Sequence, residues 1–170
     1  MATTQLPPAT EMYEAVLAKD TGYDGVFWVA VRTTGIFCRP SCPARKPHRE
    51  NVEFHPTVRD ALAAGFRPCK RCRPLERSGE APSWLRDLLA QVEADPERRW
   101  TDADLLSLSL DPRRVRRWFR RNHGMTFHSY QRTRRLGRAL GRIRHGEDLT
   151  QAAYDHGYDS LSGFRAAFAR

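Results

Sequence analysis

Four cysteines arranged as two close pairs are the feature that most constrains this chain. Cys38 and Cys42 form a C-x3-C pair, Cys69 and Cys72 form a C-x2-C pair, and 26 residues separate the two pairs. Pairs at this spacing are typical of a tetrahedral zinc site in which each pair supplies two thiolates. Two disulfides or unrelated buried thiols are the alternatives, and the reducing cytoplasm disfavours the disulfides. We therefore predict Zn²⁺ as the cofactor, bound by all four cysteines.

The chain is basic, and its length allows one medium domain or two small ones. The 170 residues carry 29 Lys+Arg against 20 Asp+Glu, which gives a formal net charge of +9. Such a surface attracts polyanions, nucleic acid among them. The chain has no apolar run long enough for a transmembrane helix. Its first residues lack the basic start and apolar stretch of a signal peptide. We expect a cytoplasmic protein without a membrane partner.

Local patterns around the cysteines predict a small α/β domain. Residues 11–18 form a short helix, and the β-branched and aromatic residues of 26–31 predict a buried strand. Residues 51–55 predict a second short strand. A sequence resembling a capping box begins at Thr57 and predicts a helix through Ala64.

The second half of the chain is helical in pattern. The predicted helices lie near residues 83–94, 102–108, 112–122, 126–145, 149–156 and 160–169. Two helix-turn-helix units fit this order, one over 102–122 and one over 149–169. The predicted fold class is therefore α+β: a small zinc-bound α/β domain over residues 1–78, a linker over 79–84, and an all-α double helix-turn-helix domain over 85–170.

Arginines dominate the middle of the helical half. Between Asp111 and Glu147 there are twelve arginines and no acidic residue. A solvated charged face is the usual reading of such a run, but solvated helices normally mix acids with bases along one face. The absence of acids therefore favours contact with DNA.

A zinc tetrathiolate can have two roles, and the residues alone leave both open. The structural role is to organise a domain too small to fold around its own core. The chemical role uses a thiolate, the reactive form of cysteine, as a nucleophile. A zinc hydrolase is disfavoured, because four sulfurs leave no coordination position for water. His48 and His55 lie nearby, but they are unneeded as ligands, so we expect exposed or structural roles for them.

Two stretches extend this reading well beyond the cysteines. Residues 33–42 (TTGIFCRPSC) and 65–72 (GFRPCKRC) resemble the Ada family of DNA methyl-damage response proteins, and the match covers about residues 10–78. The second half resembles AraC-type DNA-binding domains, through residues 124–126, Tyr130, 135–136 and 157–160.

The resemblance implies an irreversible, stoichiometric reaction. One zinc-bound thiolate takes the methyl group of a DNA methylphosphotriester, and the methylated protein then binds promoters of alkylation-response genes more tightly. By its place in the motif Cys38 is the implied acceptor, whereas spacing alone does not choose between Cys38 and Cys69. The implied partners are double-stranded DNA and RNA polymerase at the bacterial nucleoid. The alternative is a transcription factor with a purely structural zinc module and no methyl transfer.

The resemblance also implies which residues contact DNA. Thr34, Arg45 and Arg67 match family positions at the damaged backbone, whereas Pro43 stands where family members often carry a basic residue. We further expect DNA contacts from Arg71, Arg113, Arg114, Arg116, Arg117 and Arg120. The chain contains no Pro-Cys-His-Arg motif of the O6-methylguanine repair domain, and the AraC-type domain is expected to be truncated at its C-terminus.

Overall fold

A computed structural model of the chain describes residues 6–76, 81–144 and 146–168. The chain divides into two compact units between Leu75 and Glu76. Of the predicted linker at 79–84, residues 79 and 80 lie outside the described ranges, and residues 83 and 84 already belong to a helix. No helix in the described ranges is long and apolar enough to cross a membrane.

The first unit mixes short helices with a small sheet. Its elements are α1 (Ala9–Ala18), β1 (Trp28–Val31), β2 (Ile36–Cys38), β3 (Val52–His55), α2 (Val58–Ala63) and β4 (Arg67–Pro68). The capping residue predicted for α2 is present, because the Thr57 hydroxyl accepts a hydrogen bond from the Asp60 backbone N–H at 3.1 Å.

The sheet has the strand order β3-β1-β2-β4. Strand β1 is antiparallel to both of its neighbours and pairs Val29 with Cys38, whereas β2 and β4 are parallel. Parallel strands end at the same side of a sheet, so Cys38 at the end of β2 lies next to Cys69, which follows β4. The Cys69 backbone N–H donates to the Phe37 carbonyl at 3.0 Å. The sheet thereby joins the two cysteine pairs.

The sequence pattern missed two of the four strands. Strands β2 and β4 contain three and two residues, which is too short for an alternation of apolar and polar residues to be recognised. The predicted strand at 26–31 is shorter than expected and begins at Trp28, after a turn in which Gly25 has φ 90°.

The second unit is helical. Its helices are α3 (Ser83–Ala94), α4 (Asp102–Ser107), α5 (Pro112–His123), α6 (Phe127–Arg144), α7 (Leu149–Asp155) and α8 (Leu161–Phe168). Each lies where the pattern predicts it, although residues 145 and 169 of the predicted ranges fall outside the described residues. The prediction of an α+β fold with a mixed first domain and a helical second domain is confirmed.

Caps define both helices of the first helix-turn-helix unit. Thr101 and Asp104 form a capping box at the start of α4. At the start of α5, the Asp111 side chain accepts from the Arg113 backbone N–H at 2.9 Å, and Pro112 occupies the first turn. Helix α5 ends at Gly124, which adopts φ 64°.

Aromatic rings fill the core beneath α5. Phe119 is fully buried, and its ring centroid lies 5.3 Å from Phe127 and 5.4 Å from Tyr130. The second helix-turn-helix unit has a smaller core cluster in which Ala139, Ala153 and Phe164 are buried. Because these rings and methyl groups lie inward, the arginines of α5 remain outside.

Candidate metal centre and nucleic-acid interface

The four cysteine sulfurs come together in one buried group. Their Sγ atoms lie within 4.8 Å of one another, and the Cys42 and Cys69 sulfurs are 4.0 Å apart. Tetrahedral zinc with Zn–S bonds of about 2.3 Å requires sulfurs about 3.8 Å apart, so the cluster fits this ion with little adjustment. Among the described residues, no histidine or carboxylate joins the group.

Two contacts hold the loops that carry these cysteines. Asp24 accepts hydrogen bonds from the Ser41 backbone N–H at 3.1 Å and from the Ser41 hydroxyl at 2.6 Å. The Arg39 guanidinium donates to the Cys72 carbonyl. Asp24 therefore fixes the loop between the first two cysteines, and Arg39 ties this loop to the second pair.

The sulfurs cannot all be ionised without a cation among them. Hydrogen bonds to Cys42 and Cys72 raise the pKa of Cys38 far above its usual value, and burial raises it further. The same network lowers the pKa of Cys42 to about 2, because its thiolate accepts hydrogen bonds from Cys38 and Cys72. Clustered thiols thus share protons, and a divalent cation is the group that replaces those protons.

Backbone N–H groups donate to the sulfurs of Cys42, Cys69 and Cys72. The Arg71 N–H donates to the Cys69 sulfur at 3.4 Å. The Ala44 N–H donates to Cys42, and the Arg39 N–H donates to Cys72. The interactions that shift the pKa of Cys38 most are those with the sulfurs of Cys42 and Cys72. A backbone N–H that donates to a thiolate stabilises it, so Cys42, Cys69 and Cys72 each have a stabilising donor from the main chain.

A basic cleft of about 610 Å³ opens beside the sulfurs. Cys38, Cys42 and Cys69 line it, and no aspartate or glutamate does. Its basic lining residues are Lys19, Arg39, Arg45, Lys46, Arg67, Lys70 and Arg71. The cleft is therefore suited to a polyanion that must approach the sulfurs.

The cleft brings together the DNA-contact residues predicted for the first unit. Thr34, Arg45, Arg67 and Arg71 all line it. Lys19 lines it too, and nothing in the local sequence pattern singles this lysine out. Its ammonium donates to the Pro43 carbonyl at 3.3 Å.

The two histidines near the cysteines lie outside the metal group. His48 lines the cleft. His55 packs against Phe66 with their rings 5.6 Å apart, and burial lowers its pKa.

The predicted arginine contacts of α5 fall into two groups. Arg113, Arg117 and Arg120 are exposed and, among the described residues, have no ion-pair partner. They surround a depression of about 500 Å³. By contrast, Arg116 pairs with Asp102 at 3.3 Å, and Arg114 stacks over the Trp84 ring at 5.2 Å.

Comparison with known proteins agrees with both units. Residues 11–75 match the family model described as the metal binding domain of Ada, and residues 106–170 match a helix-turn-helix domain model. The chain is 38% identical over 160 residues to the Escherichia coli (strain K12) bifunctional transcriptional activator/DNA repair enzyme Ada. That alignment covers 92% of this chain and 45% of the relative.

Two further similarities concern a second curated relative and a solved structure. The chain is 34% identical over 121 residues to the Bacillus subtilis (strain 168) bifunctional transcriptional activator/DNA repair enzyme AdaA, covering 71% of this chain and 57% of that protein. It is 39% identical to the protein in the crystal structure of the methylated N-Ada/DNA complex, covering 76% of this chain and 98% of that one, with a TM-score of 0.42.

This chain spans about half the length of these curated relatives. The two family models nevertheless match well over half of its residues, and the sulfur cluster lies inside the matched metal-binding domain. The prediction of zinc as the cofactor is confirmed, and the chain belongs to the Ada family.

Proposed function

We propose that the first unit takes the methyl group of a methylphosphotriester in double-stranded DNA, irreversibly and once per molecule, with Cys38 as the acceptor. The observation that carries this proposal is the position of Cys38, which belongs to the buried sulfur cluster and lines the basic cleft beside it. The naming of the Escherichia coli relative as a DNA repair enzyme supports it.

In the transfer, the Cys38 sulfur attacks the methyl carbon opposite the C–O bond. An S–C bond forms, the C–O bond breaks, and its electron pair leaves on the phosphate oxygen. The neutral triester becomes an anionic phosphodiester, and no proton moves. Zinc, when bound, keeps the sulfurs deprotonated at neutral pH.

The cleft positions the DNA for this attack. The methylated phosphate is neutral, so charge recognition acts on the phosphodiesters beside it. Arg45, Arg67 and Arg71 supply guanidinium groups for these anions, and Thr34 supplies a hydroxyl at the same wall. No lining carboxylate opposes the approach of the backbone.

Methyl transfer also changes the charge of the site. A thiolate becomes a neutral thioether, so the first unit loses one negative charge beside its basic cleft. At about 8 Å from a phosphate and an effective dielectric constant of about 20, one unit charge corresponds to ~2 kcal/mol. That energy raises DNA affinity by a factor on the order of tens. The chemical event thereby acts as a switch for DNA binding.

The second unit reads the DNA in this scheme. Helix α5 is the second helix of its helix-turn-helix unit, the position that enters the major groove. Arg113, Arg117 and Arg120 make the first contacts, and Arg114 and Arg116 join when they exchange their present partners for phosphates. As an activator at bacterial promoters, the protein works at the nucleoid with RNA polymerase as a partner. The activator name of the Escherichia coli relative supports this role.

Mass spectrometry of the zinc-loaded chain tests the proposal. After incubation with a duplex that carries one methylphosphotriester, we expect a gain of one methyl group, and peptide fragmentation places it on Cys38. Cys38→Ala protein refolded with zinc takes up no methyl. A methyl found on another cysteine refutes the acceptor assignment, and the absence of any mass gain in the wild type favours a purely structural zinc module.

A further inference from the structure

Lys19 has an unusual backbone for its residue type. It ends α1 in the left-handed region, with φ 55° and ψ 44°. Glycine or asparagine normally occupies this position, because a Cβ atom is sterically disfavoured there. A lysine that keeps this disfavoured conformation at the edge of a cleft lined by cysteines is a candidate for a functional role.

The surrounding contacts hold the Lys19 ammonium at the cleft. Helix α1 is anchored through Met12, Ala15 and Val16, which share a buried cluster with the four cysteines. The Lys19 side chain donates to the Pro43 carbonyl at 3.3 Å and lines the same cleft as Cys38. The cation is therefore tied to the loop that follows the first cysteine pair.

The Lys19 ammonium, beside Pro43, retains hydrogen-bond donors for an external anion. Pro43 follows Cys42 directly and has no backbone N–H to offer. An ammonium has three N–H donors, so two remain after the bond to Pro43. Among the described residues Lys19 has no carboxylate partner, and the adjacent Asp20 instead accepts from the Gly22 backbone N–H at 2.7 Å.

We propose that Lys19 binds a DNA phosphodiester next to the methylated phosphate and so helps to hold the reacting strand over Cys38. The proposal rests on the proposed function for the identity of the substrate. Lys19 supplies from α1 the donor that Pro43 cannot supply from the loop.

Three variants of the full zinc-loaded chain test this role. Lys19→Gly removes the ammonium and relieves the left-handed backbone, so its thermal midpoint is expected to equal or exceed that of the wild type. Lys19→Arg keeps the charge. Arg59→Gln is the matched control, because Arg59 is exposed on α2 and does not line the cleft.

The first readout is single-turnover methyl transfer. For Lys19→Gly we expect the half-saturating DNA concentration to rise roughly fivefold, with the rate constant at saturating DNA unchanged, since one phosphate contact is lost. Lys19→Arg and Arg59→Gln behave like the wild type. The second readout is the slope of log affinity against log salt for an unmodified duplex, which falls by about 0.9 in Lys19→Gly only.

The outcomes separate this inference from the proposed function. If the wild type is methylated at Cys38 but Lys19→Gly matches it in both readouts, or matches a loss seen in Arg59→Gln, the inference is overturned. If the wild type takes up no methyl, the proposed function fails, and the salt slope still decides whether Lys19 contacts a phosphate.

Discussion

The first unit builds its core around sulfur, whereas the second builds its core around aromatic rings. Cys38, Cys42, Cys69 and Cys72 belong to the same buried cluster as Phe27. In the second unit, the buried rings of Phe119, Phe127 and Tyr130 contact one another, and no cysteine is present in its sequence.

Because of this difference, stability and function depend on the same residues in the first unit but on different residues in the second. In the first unit the groups proposed to react are also the groups that complete the core, so the metal supports the fold and the chemistry together. In the second unit apolar rings hold the fold, and the α5 arginines proposed to contact DNA lie outside this core. Replacing a core residue is therefore expected to affect both stability and chemistry in the first unit, but mainly stability in the second.

Removal of zinc is expected to have the largest effect and to act on one unit only. A strong chelator should unfold the first unit, because structural zinc contributes on the order of 10 kcal/mol in small metal-dependent domains. The second unit should keep its helical circular dichroism and its own thermal transition. A first unit that retains dispersed amide resonances after complete metal removal would show that its fold does not depend on zinc.

The converse change removes an aromatic ring. Phe119→Ala deletes a fully buried side chain and should destabilise the second unit by about 3–5 kcal/mol. Zinc binding by the first unit should be unaffected. The matched control is Leu106→Ala on α4, since Leu106 is 62% exposed and its loss should change stability by less than about 0.5 kcal/mol. Equal losses in both variants argue against an aromatic core.

A helix cap offers a smaller change with a pH signature. Hydrogen bonds from the Thr101 hydroxyl and backbone, followed by Arg98, lower the pKa of Asp104 to about 2. Because the pKa of Asp104 is lower in the folded state than in the unfolded state, its ionised carboxylate stabilises the fold at pH values above the ordinary pKa of an aspartate. This stabilisation is lost as the pH falls towards 2. Thr101→Ala should lower the free energy of unfolding by about 1 kcal/mol at neutral pH. Between pH 4 and pH 2 the variant should lose less stability than the wild type does. Thermal midpoints of the two proteins at pH 6 and pH 3 measure both effects. If the midpoints of variant and wild type fall in parallel with pH, the Thr101 cap does not stabilise the Asp104 carboxylate.

The smallest expected effect concerns a single arginine on α5. Arg117→Gln should leave stability unchanged, weaken DNA binding roughly threefold and reduce the salt slope by about 0.9, because one phosphate contact is lost. Arg86→Gln, an exposed change on α3, is the control and should alter neither quantity. A larger loss for Arg86→Gln would place the DNA-binding face elsewhere.

Local sequence predicted much of the framework because its signals are local. The spacing of the two cysteine pairs points to zinc, Thr57 marks the start of α2, and Asp111 with Pro112 marks the start of α5. Each of these signals acts within a few residues of the chain, where periodicity, caps and fixed φ angles are decisive.

Contacts between distant segments were not predictable in this way. Arg114 and Arg116 follow the same sequence pattern as Arg117, yet Trp84 and Asp102 engage the first two. Asp24 has the sequence of an ordinary turn residue but fixes Ser41, 17 residues away. Lys19 likewise reaches Pro43.

The sequence by itself determined the basic charge and the two-part organisation, and it predicted the four candidate zinc ligands and, through the family resemblance, Cys38 as the acceptor. Only the tertiary structure decided what surrounds each sulfur. Strand β2 pairs with β1 and β4, and this geometry brings Cys38 beside Cys69 in one sulfur cluster that a basic cleft adjoins. The physical reason is that a thiolate's reactivity depends on the hydrogen bonds and charges within a few ångströms, and folding brings those groups from distant parts of the chain.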